Sequence, residues 1–475
     1  MDKWIRNLTI LIVISFTFGK CVLANTNDAA VVQQQASRII DSSGLKKNDL
    51  GLLITEQNGE VLYSLNAQKH FIPASITKLV TTAAVMSNLE PDFKFHTLLY
   101  VDGSLKEGVL KGNLYLKGGG DPGFVSEKMW MLVNDFLREN IKTVTGNIIV
   151  DDSYFDDERF DKGREADRND RAYDAPVGAL SFNWNSTTIY IRPGEAKGDP
   201  AKVFIDPENK YIQLENKTLT TSSSTDLTAE RVDGKDHDVI VVSGKIALNA
   251  PEHHIYKNIS DPALYAGYCL KRFLHQREVE VSGVVGRGQV PASARLVGDQ
   301  KSESLGALIK DMNKFSNNFV AEMLAKNLGA YKTSGQGHMK DGVEQVRNFL
   351  REKLKWSNED FNIVNVSGFT LKNSFTPTQF VSLLSWIQKQ FSIYPEILSS
   401  LPIAGIDGTL EKRMKGTEAV RWVRAKTGLL NGVVALSGYA GRPNGLRFFT
   451  FMYNGRGKET EARAAFDALA ASLVR

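Results

Sequence analysis

The stretch Phe71-Ile72-Pro73-Ala74-Ser75-Ile76-Thr77-Lys78-Leu79-Val80 decides how the rest of the chain is read. It reads as a turn ending at Pro73 and a helix opening at Ser75. Ile76, Leu79, Val80, Ala83, Ala84 and Met86 recur close to the i, i+3, i+4, i+7 pattern of a helix with one face to bury. Ser75 and Lys78 are then surface neighbours, close enough for the amine to reach the hydroxyl. A serine hydroxyl attacks only when a base takes its proton, and a lysine is such a base only when burial or a second cation lowers its pKa. The first turn of a helix also favours negative charge through its unpaired N–H groups. The spacing recurs at Ser43-Gly-Leu-Lys46, so on its own it equally describes a helix cap followed by a solvated lysine.

The chain has 475 residues, 42% of them hydrophobic, enough for two or three domains with cores of their own. A formal charge of +4, without basic runs interleaved with aromatics, gives no support for a nucleic-acid partner. Lys3 and Arg6 precede an apolar run over 8–18 and the small or aliphatic residues Val22-Leu23-Ala24, the pattern of a secretory signal peptide cut after Ala24. The run is shorter than the roughly 20 residues that span a bilayer. Lys20 before Cys21 argues against a lipoprotein signal, and Cys269 would remain as a single thiol, unable to form an internal disulfide. The expectation is a soluble protein outside the cytoplasm, at most peripherally attached to a membrane.

Taken in order, 25–40 reads as a helix, and 50–55 and 61–65 as strands joined around Asn58-Gly59. Short strands and turns follow from Pro91, with a strand over 114–117 running into Gly118-Gly119-Gly120-Asp121-Pro122. The spacing of those glycines matches no phosphate-binding loop, and they are read as a turn. A helix over 126–140 and a strand over 146–150 lead to the acidic Asp151-Asp152-Ser153-Tyr154-Phe155-Asp156-Asp157. That cluster is either a solvated loop or a contact for a cationic substrate group, with Asp151 and Asp152 as the candidates. Residues 181–258 look like a strand-rich module. His253-His254 and Asp236-His237-Asp238 lack the spacing of a zinc site, so no metal and no cofactor is expected. A helix over 262–276, a strand over 279–286 and helices over 304–314 and 315–328 return the chain.

Two further constellations stand out. Ser316-Asn317-Asn318 lies between two helical runs, where a loop can project a hydroxyl and a carboxamide into a cleft, although Ser-x-Asn also occurs at Ser64 and Ser181. Arg421-Trp-Val-Arg-Ala-Lys426-Thr427-Gly428-Leu429-Leu430-Asn431-Gly432 alternates as a strand, with two more strands over 433–440 and 446–453 and turns at Asn431-Gly432 and Asn444-Gly445. Lys426-Thr-Gly is unique in the chain. Gly428 is expected to let a peptide lie close along the strand, with Lys426 and Thr427 supplying a cation and a hydroxyl for a carboxylate. A helix over 459–474 closes the chain.

Ser-x-x-Lys, Ser-x-Asn and Lys-Thr-Gly, in that order on helix, loop and strand, resemble the motif set of penicillin-recognising serine enzymes. Over almost the whole chain the closest resemblance is to the D-alanyl-D-alanine carboxypeptidase/endopeptidase family, the class C, type-4 low-molecular-mass penicillin-binding proteins. Leu116-Lys-Gly-Gly-Gly-Asp-Pro122, Asp151-Asp-Ser-Tyr-Phe155, Ala179-Leu-Ser-Phe-Asn183 and Ser400-Leu-Pro-Ile-Ala-Gly-Ile-Asp-Gly-Thr409 also look like this family. The chain departs from it at Asn317, where Asp is usual, at Leu429, where Thr is usual, and over Val364-Asn-Val-Ser-Gly-Phe369, where Asp-Gly-Ser-Gly-Leu is usual.

The resemblance implies an α/β (α+β) fold: a penicillin-binding, β-lactamase-like transpeptidase domain with an antiparallel sheet flanked by helices and two strand-rich domains inserted between the first and second motifs. It implies a catalytic domain of 25–95 and 296–475 after a signal peptide of 1–24, one insert of 96–180 with 262–295, and a second of 181–261. It further implies that Ser75 attacks the carbonyl of a penultimate D-Ala while Lys78 takes its proton, with the N–H groups of Ser75 and Leu429 as oxyanion donors. Ser316 would relay a proton to the leaving amine. Asn318 would orient the substrate amide and Lys78, and Lys426 with Thr427 would bind the terminal carboxylate. Lys426 would also keep Lys78 neutral by like-charge repulsion. The implied partners are peptidoglycan stem peptides, with β-lactams as covalent inhibitors, in the periplasm. Two rivals stand beside this reading: a serine β-lactamase, which needs a deacylating base that no local motif supplies, and a non-catalytic wall-binding protein on the same fold.

Overall fold

A computed structural model of the chain describes residues 28–164, 169–442 and 445–474. The signal-peptide reading of 1–24 and Asn444 of the last hairpin turn lie outside the described residues.

The half of the chain that carries the three motifs is built on five antiparallel strands. β1 (Leu50–Glu56) and β2 (Val61–Leu65) form the amino-terminal hairpin; β3 (Val423–Leu430), β4 (Val433–Arg442) and β5 (Gly445–Asn454) come from the other end of the chain. The order β3-β4-β5-β1-β2 closes the sheet by pairing β1 with β5, Leu50 opposite Tyr453 through Glu56 opposite Arg447. Because side chains alternate along a strand, the interior strands feed two cores. Leu50, Leu52 and Ile54 join Phe449, Phe451 and Tyr453 beneath α1 (28–42) and the last helix, Glu459–Ser472, whereas Leu53, Ala435, Tyr439 and Met452 face the helices on the other side.

On that other side the first motif opens differently from expectation. Ala74–Ile76 forms a 3-10 turn, with Ala74 at φ 48°, and the α-helix α2 spans Thr77–Met86. The expected single buried face is also corrected: all ten residues of α2 are buried, including Thr77, Lys78, Thr81 and Thr82. The sheet and surrounding helices enclose α2 from every side, so its polar residues need internal partners. Thr81 finds one in the Val366 carbonyl at 2.7 Å. The second Ser-x-x-Lys is a helix end: Ser43 Oγ donates to the Ile40 carbonyl at 2.7 Å.

Between the first two motifs the chain builds separate sheets. A five-stranded one runs Val285–Arg287, Ile148–Asp151, Leu114–Gly118, His96–Val101, Arg295–Lys301, and two three-stranded sheets lie within 186–258. The helix Ser126–Leu137 is shorter than expected, and the expected strand over 279–286 is two short strands, Glu280–Val281 and Val285–Arg287, in different sheets. The boundary drawn at 295/296 is also corrected. Arg295–Lys301 pairs with His96–Val101, so that boundary cuts through a strand of the inserted sheet, and the motif-bearing half resumes at Leu305.

The return brings α3 (Leu305–Phe315) and α4 (Asn318–Thr333). Ser316 sits between them in the left-handed region, φ 57° and ψ 37°, a turn tight enough to reverse the chain while leaving its hydroxyl free to project. Asn317 caps α4 by accepting from Val320 N–H at 3.2 Å, a task its side-chain oxygen performs as an aspartate's would.

Candidate active site

Four distant segments meet at two lysines. The Nζ of Lys78 lies 3.1 Å from Ser75 Oγ, 2.7 Å from Asn318 Oδ1 and 2.6 Å from the Ser367 carbonyl. The Nζ of Lys426 donates to Ser316 Oγ at 2.8 Å and to the Thr427 carbonyl at 2.9 Å. Ser316 and Asn318 belong to the same turn, so each lysine holds one side chain of the second motif. Both lysines are fully buried, whereas Ser75 and Ser316 are partly accessible.

Burial sets the charge state of these amines. Desolvation holds Lys78 well below the ordinary lysine range; the Lys426 and Arg164 cations push the same way and Glu322 opposes them. Lys426 is pushed down to about 7 by burial.

β3 is the edge of its sheet, and the direction of its N–H groups follows from one bond. Ala425 N–H donates outward to the Pro402 carbonyl, so Thr427 and Leu429, two and four residues on, present their N–H groups to the same outer side. Lys426 and Gly428 face the buried side of the strand, against the Ser75 turn. A Cβ on Gly428 would lie 2.7 Å from the Pro73 carbonyl oxygen and 3.2 Å from Ala74 Cβ. The room that glycine makes is therefore for the turn that carries Ser75 and not for a peptide along the strand, which corrects the sequence expectation.

The carboxylate site is also rearranged. Lys426 has no exposed surface, and its ammonium stands behind Ser316. What reaches the surface is Thr427, whose Oγ1 donates to the exposed Thr409 Oγ1 at 2.8 Å. Thr409 is anchored through its neighbours: Lys314 donates to both oxygens of Asp407, at 2.8 and 2.7 Å, and to the Leu401 carbonyl. Sequence reasoning quoted this 400–409 stretch and gave it no role.

Asp151 and Asp152 do not serve as substrate contacts. Asp151 is 1% exposed, and its carboxylate accepts from Ser153 N–H, Ser153 Oγ and Val290 N–H. Asp152 is paired with Arg159 and accepts from Leu180 N–H. Acidic residues placed among backbone donors in this way tie loops together. The residues that sequence reading missed lie instead around Ser367. Gly368, at φ 77°, brings the backbone so close to the Ser75 turn that a Cβ there would stand 2.0 Å from the Ala74 carbonyl oxygen. A glycine directly after a serine, the residue type that accepts positive φ at no steric cost, was the available signal.

Comparison with known proteins shows the family. The model of the D-Ala-D-Ala carboxypeptidase 3 (S13) family matches residues 31–473. A D-alanyl-D-alanine carboxypeptidase from an Actinomadura species is 31% identical over 95% of this chain and 86% of its own, and the Haemophilus influenzae carboxypeptidase DacB is 24% identical over 90% and 87%. Among solved structures, penicillin-binding protein 4 of H. influenzae superposes with a TM-score of 0.76 at 23% identity, covering 89% of this chain and 95% of that one. A predatory peptidoglycan endopeptidase from Bdellovibrio bacteriovorus shares the fold at a TM-score of 0.55 and 16% identity, over 89% and 92%. With a family match that runs from α1 to the last helix and a relative above 30% identity over nearly its whole length, this chain belongs to the D-Ala-D-Ala carboxypeptidase 3 (S13) family.

Proposed function

We propose that the chain, a serine D-Ala-D-Ala peptidase acting on peptidoglycan, works through an acyl-enzyme on Ser75 with Lys78 as the base. The observation that carries this reading is the set of partners around the Lys78 amine. A neutral amine has two N–H donors and one lone pair. Asn318 Oδ1 and the Ser367 carbonyl are pure acceptors and occupy the two donors, which leaves the lone pair aimed at the Ser75 hydroxyl. Burial and the nearby Lys426 favour the neutral form that this task requires.

As Ser75 attacks the carbonyl of the penultimate D-Ala, its proton passes to Lys78. Negative charge develops on the carbonyl oxygen, where the N–H of Ser75, in the turn that opens α2, and the outward N–H of Leu429 stabilise it. Leu429 acts through its backbone, so a leucine there leaves that donor in place. Ser316, held on Lys426, passes a proton to the departing amine. With a pKa near neutrality, Lys426 can donate to that hydroxyl and replace its proton in turn. The Thr427 and Thr409 hydroxyls receive the substrate's terminal carboxylate, and Lys426 adds its charge from behind. Lys78 then releases the first proton to solvent, from which Lys426 regains its own, and as water cleaves the ester Lys78 takes the water's proton and returns it to the departing Ser75 Oγ.

A β-lactam offers the same carbonyl and acylates the same serine; a β-lactam complex of the H. influenzae protein of similar fold supports that reading. The amino-terminal segment supports export, and the periplasm is where such a substrate lies. Digestion of purified muropeptides, followed by mass spectrometry, tests the proposal: loss of one alanine reports carboxypeptidase action, splitting of cross-linked dimers endopeptidase action, and S75A abolishes both. Product formation by S75A at the wild-type rate refutes it.

A further inference from the structure

Both carbonyl partners of Lys78 are governed by one face of α4. Asn318 and Glu322 are four residues apart and project together. Asn318 accepts from the amine directly, whereas Glu322 reaches the second partner at one remove. Its Oε1 lies 3.0 Å from Ser367 Oγ and 3.2 Å from Asn365 Nδ2. Asn365 Oδ1 in turn lies 2.7 Å from Ser367 Oγ and accepts from Phe369 N–H at 2.9 Å, pinning the turn on both sides of Gly368. Glu322 is itself clamped by Arg164, Nε to Oε1 at 2.7 Å and Nη2 to Oε2 at 2.6 Å, and Arg164 also pairs with Asp174. The side chains of Arg164, Asp174 and Glu322 are completely buried. Arg164 and Asp174 belong to the insertion and Glu322 to the catalytic half.

A buried ionic cluster of this kind carries a large desolvation cost, which excellent geometry at best offsets. Its position suggests what it is kept for. We infer that Glu322, clamped by Arg164, is a positioning residue for Lys78: through Ser367 and Asn365 it fixes the backbone carbonyl that holds the amine on Ser75. The inference rests on the acyl-enzyme reading given above. It also makes the insertion part of the catalytic apparatus, since the clamp comes from there. The charged groups around the amine are Lys426, Glu322 and Arg164, with Asp174 on Arg164 and Asp161 on Asn365 behind them. Removing the Glu322 charge therefore lets Lys78 lose its proton more easily, whereas cutting the Ser367 hydroxyl loosens the carbonyl and alters no charge.

The test is the second-order rate of acylation by a fluorescent penicillin, measured against pH for wild type, E322Q and S367A, with thermal midpoints taken alongside. In E322Q the acidic limb, which reports Lys78 losing its proton, moves to lower pH by on the order of one unit, and the plateau rate drops. In S367A the limb stays in place and the plateau falls about tenfold through misplacement of the amine. A folded E322Q with an unmoved limb overturns the inference, and so does S367A acylating at the wild-type plateau. Should E322Q fail to fold, S367A alone decides. Failure of the underlying reading is distinguishable, because wild type would then not be acylated at Ser75 at all.

Discussion

Replacing Gly368 by alanine isolates the contact that sets the nucleophile's turn. At φ 77° any Cβ costs roughly 1–2 kcal/mol of backbone strain. Here the Cβ would also meet the Ala74 carbonyl oxygen at 2.0 Å, the Ala74 carbonyl carbon at 2.6 Å and Thr77 Oγ1 at 2.9 Å. Carbon and carbonyl oxygen normally rest about 3.3 Å apart or more, so the two segments must separate by about 1.3 Å. The Ala74 carbonyl is the acceptor for Thr77 N–H and Thr77 Oγ1, which define the turn holding Ser75. The Ser367 carbonyl that grips Lys78 sits on the other side of the same contact. A displacement of that size at a reacting pair lowers acylation by about 100-fold. Gly416 provides the control, since it has φ 74° with nothing within 4 Å of its Cβ and carries the strain without the collision. Stopped-flow acylation by a chromogenic β-lactam, beside thermal melts, separates the two effects: G416A loses some stability and keeps its acylation rate, whereas G368A loses both. If G368A acylates as fast as G416A, the account of how Ser75 and Lys78 are held is wrong.

The burial of Lys426 also makes stability depend on pH. Its folded pKa, about 7, lies below that of the unfolded chain, so between those values the unfolded state binds more protons and stability rises with pH, by up to about 1.4 kcal/mol per unit. Denaturant melts from pH 7 to pH 9 should show a steeper rise for wild type than for K426M; equal slopes would mean the amine is not desolvated. T409V removes the partner of Thr427 and is expected to raise KM about fivefold for peptides with a free terminal carboxylate, at nearly constant kcat, the effect of one hydrogen bond of about 1 kcal/mol. An unchanged KM would exclude the two hydroxyls from carboxylate binding. Asp152→Ala takes the nearer carboxylate from the partly buried Arg159, which keeps Asp157 at 3.8 Å, leaves Leu180 N–H without its acceptor, and should cost about 1–3 kcal/mol of stability, with the acylation rate per folded molecule unchanged. A selective loss of rate without a loss of stability would return Asp152 to the substrate site.

The outline of the fold was legible because its signals are local. Alternation over 423–454 and the Asn431-Gly432 turn mark three neighbouring strands, and Pro262–Gln276 is bounded as its Asp261 cap, which accepts from Leu264 N–H, and following Arg277 indicate. The three reacting motifs were legible by their order along the chain. What surrounds them was not. Charged residues are solvated by default, so nothing local to Arg164 or Glu322 announces that they meet, 158 residues apart, in a site without water access. The burial of α2 was missed for the same reason, since its threonines read as a polar face until their partners are in place: the Val366 carbonyl for Thr81, the Ala74 carbonyl for Thr77 and the Asn313 amide for Thr82. Asp151 and Asp152 misled in the opposite direction, because an acidic run looks exposed and these two carboxylates are consumed by backbone donors. The edge at Arg295–Lys301 depends on pairing with a strand two hundred positions earlier, which periodicity cannot reveal.

The central claim is that one hydroxyl, in the first motif, is the nucleophile and that Lys78 activates it. Mass spectrometry of the intact protein after incubation with benzylpenicillin, followed by mapping of the modified peptide, tests this most directly. The account predicts a single penicilloyl group per molecule, on Ser75 in wild type and lost in both S75A and K78M. A stable adduct on any other side chain, or undiminished labelling of K78M at neutral pH, would contradict it.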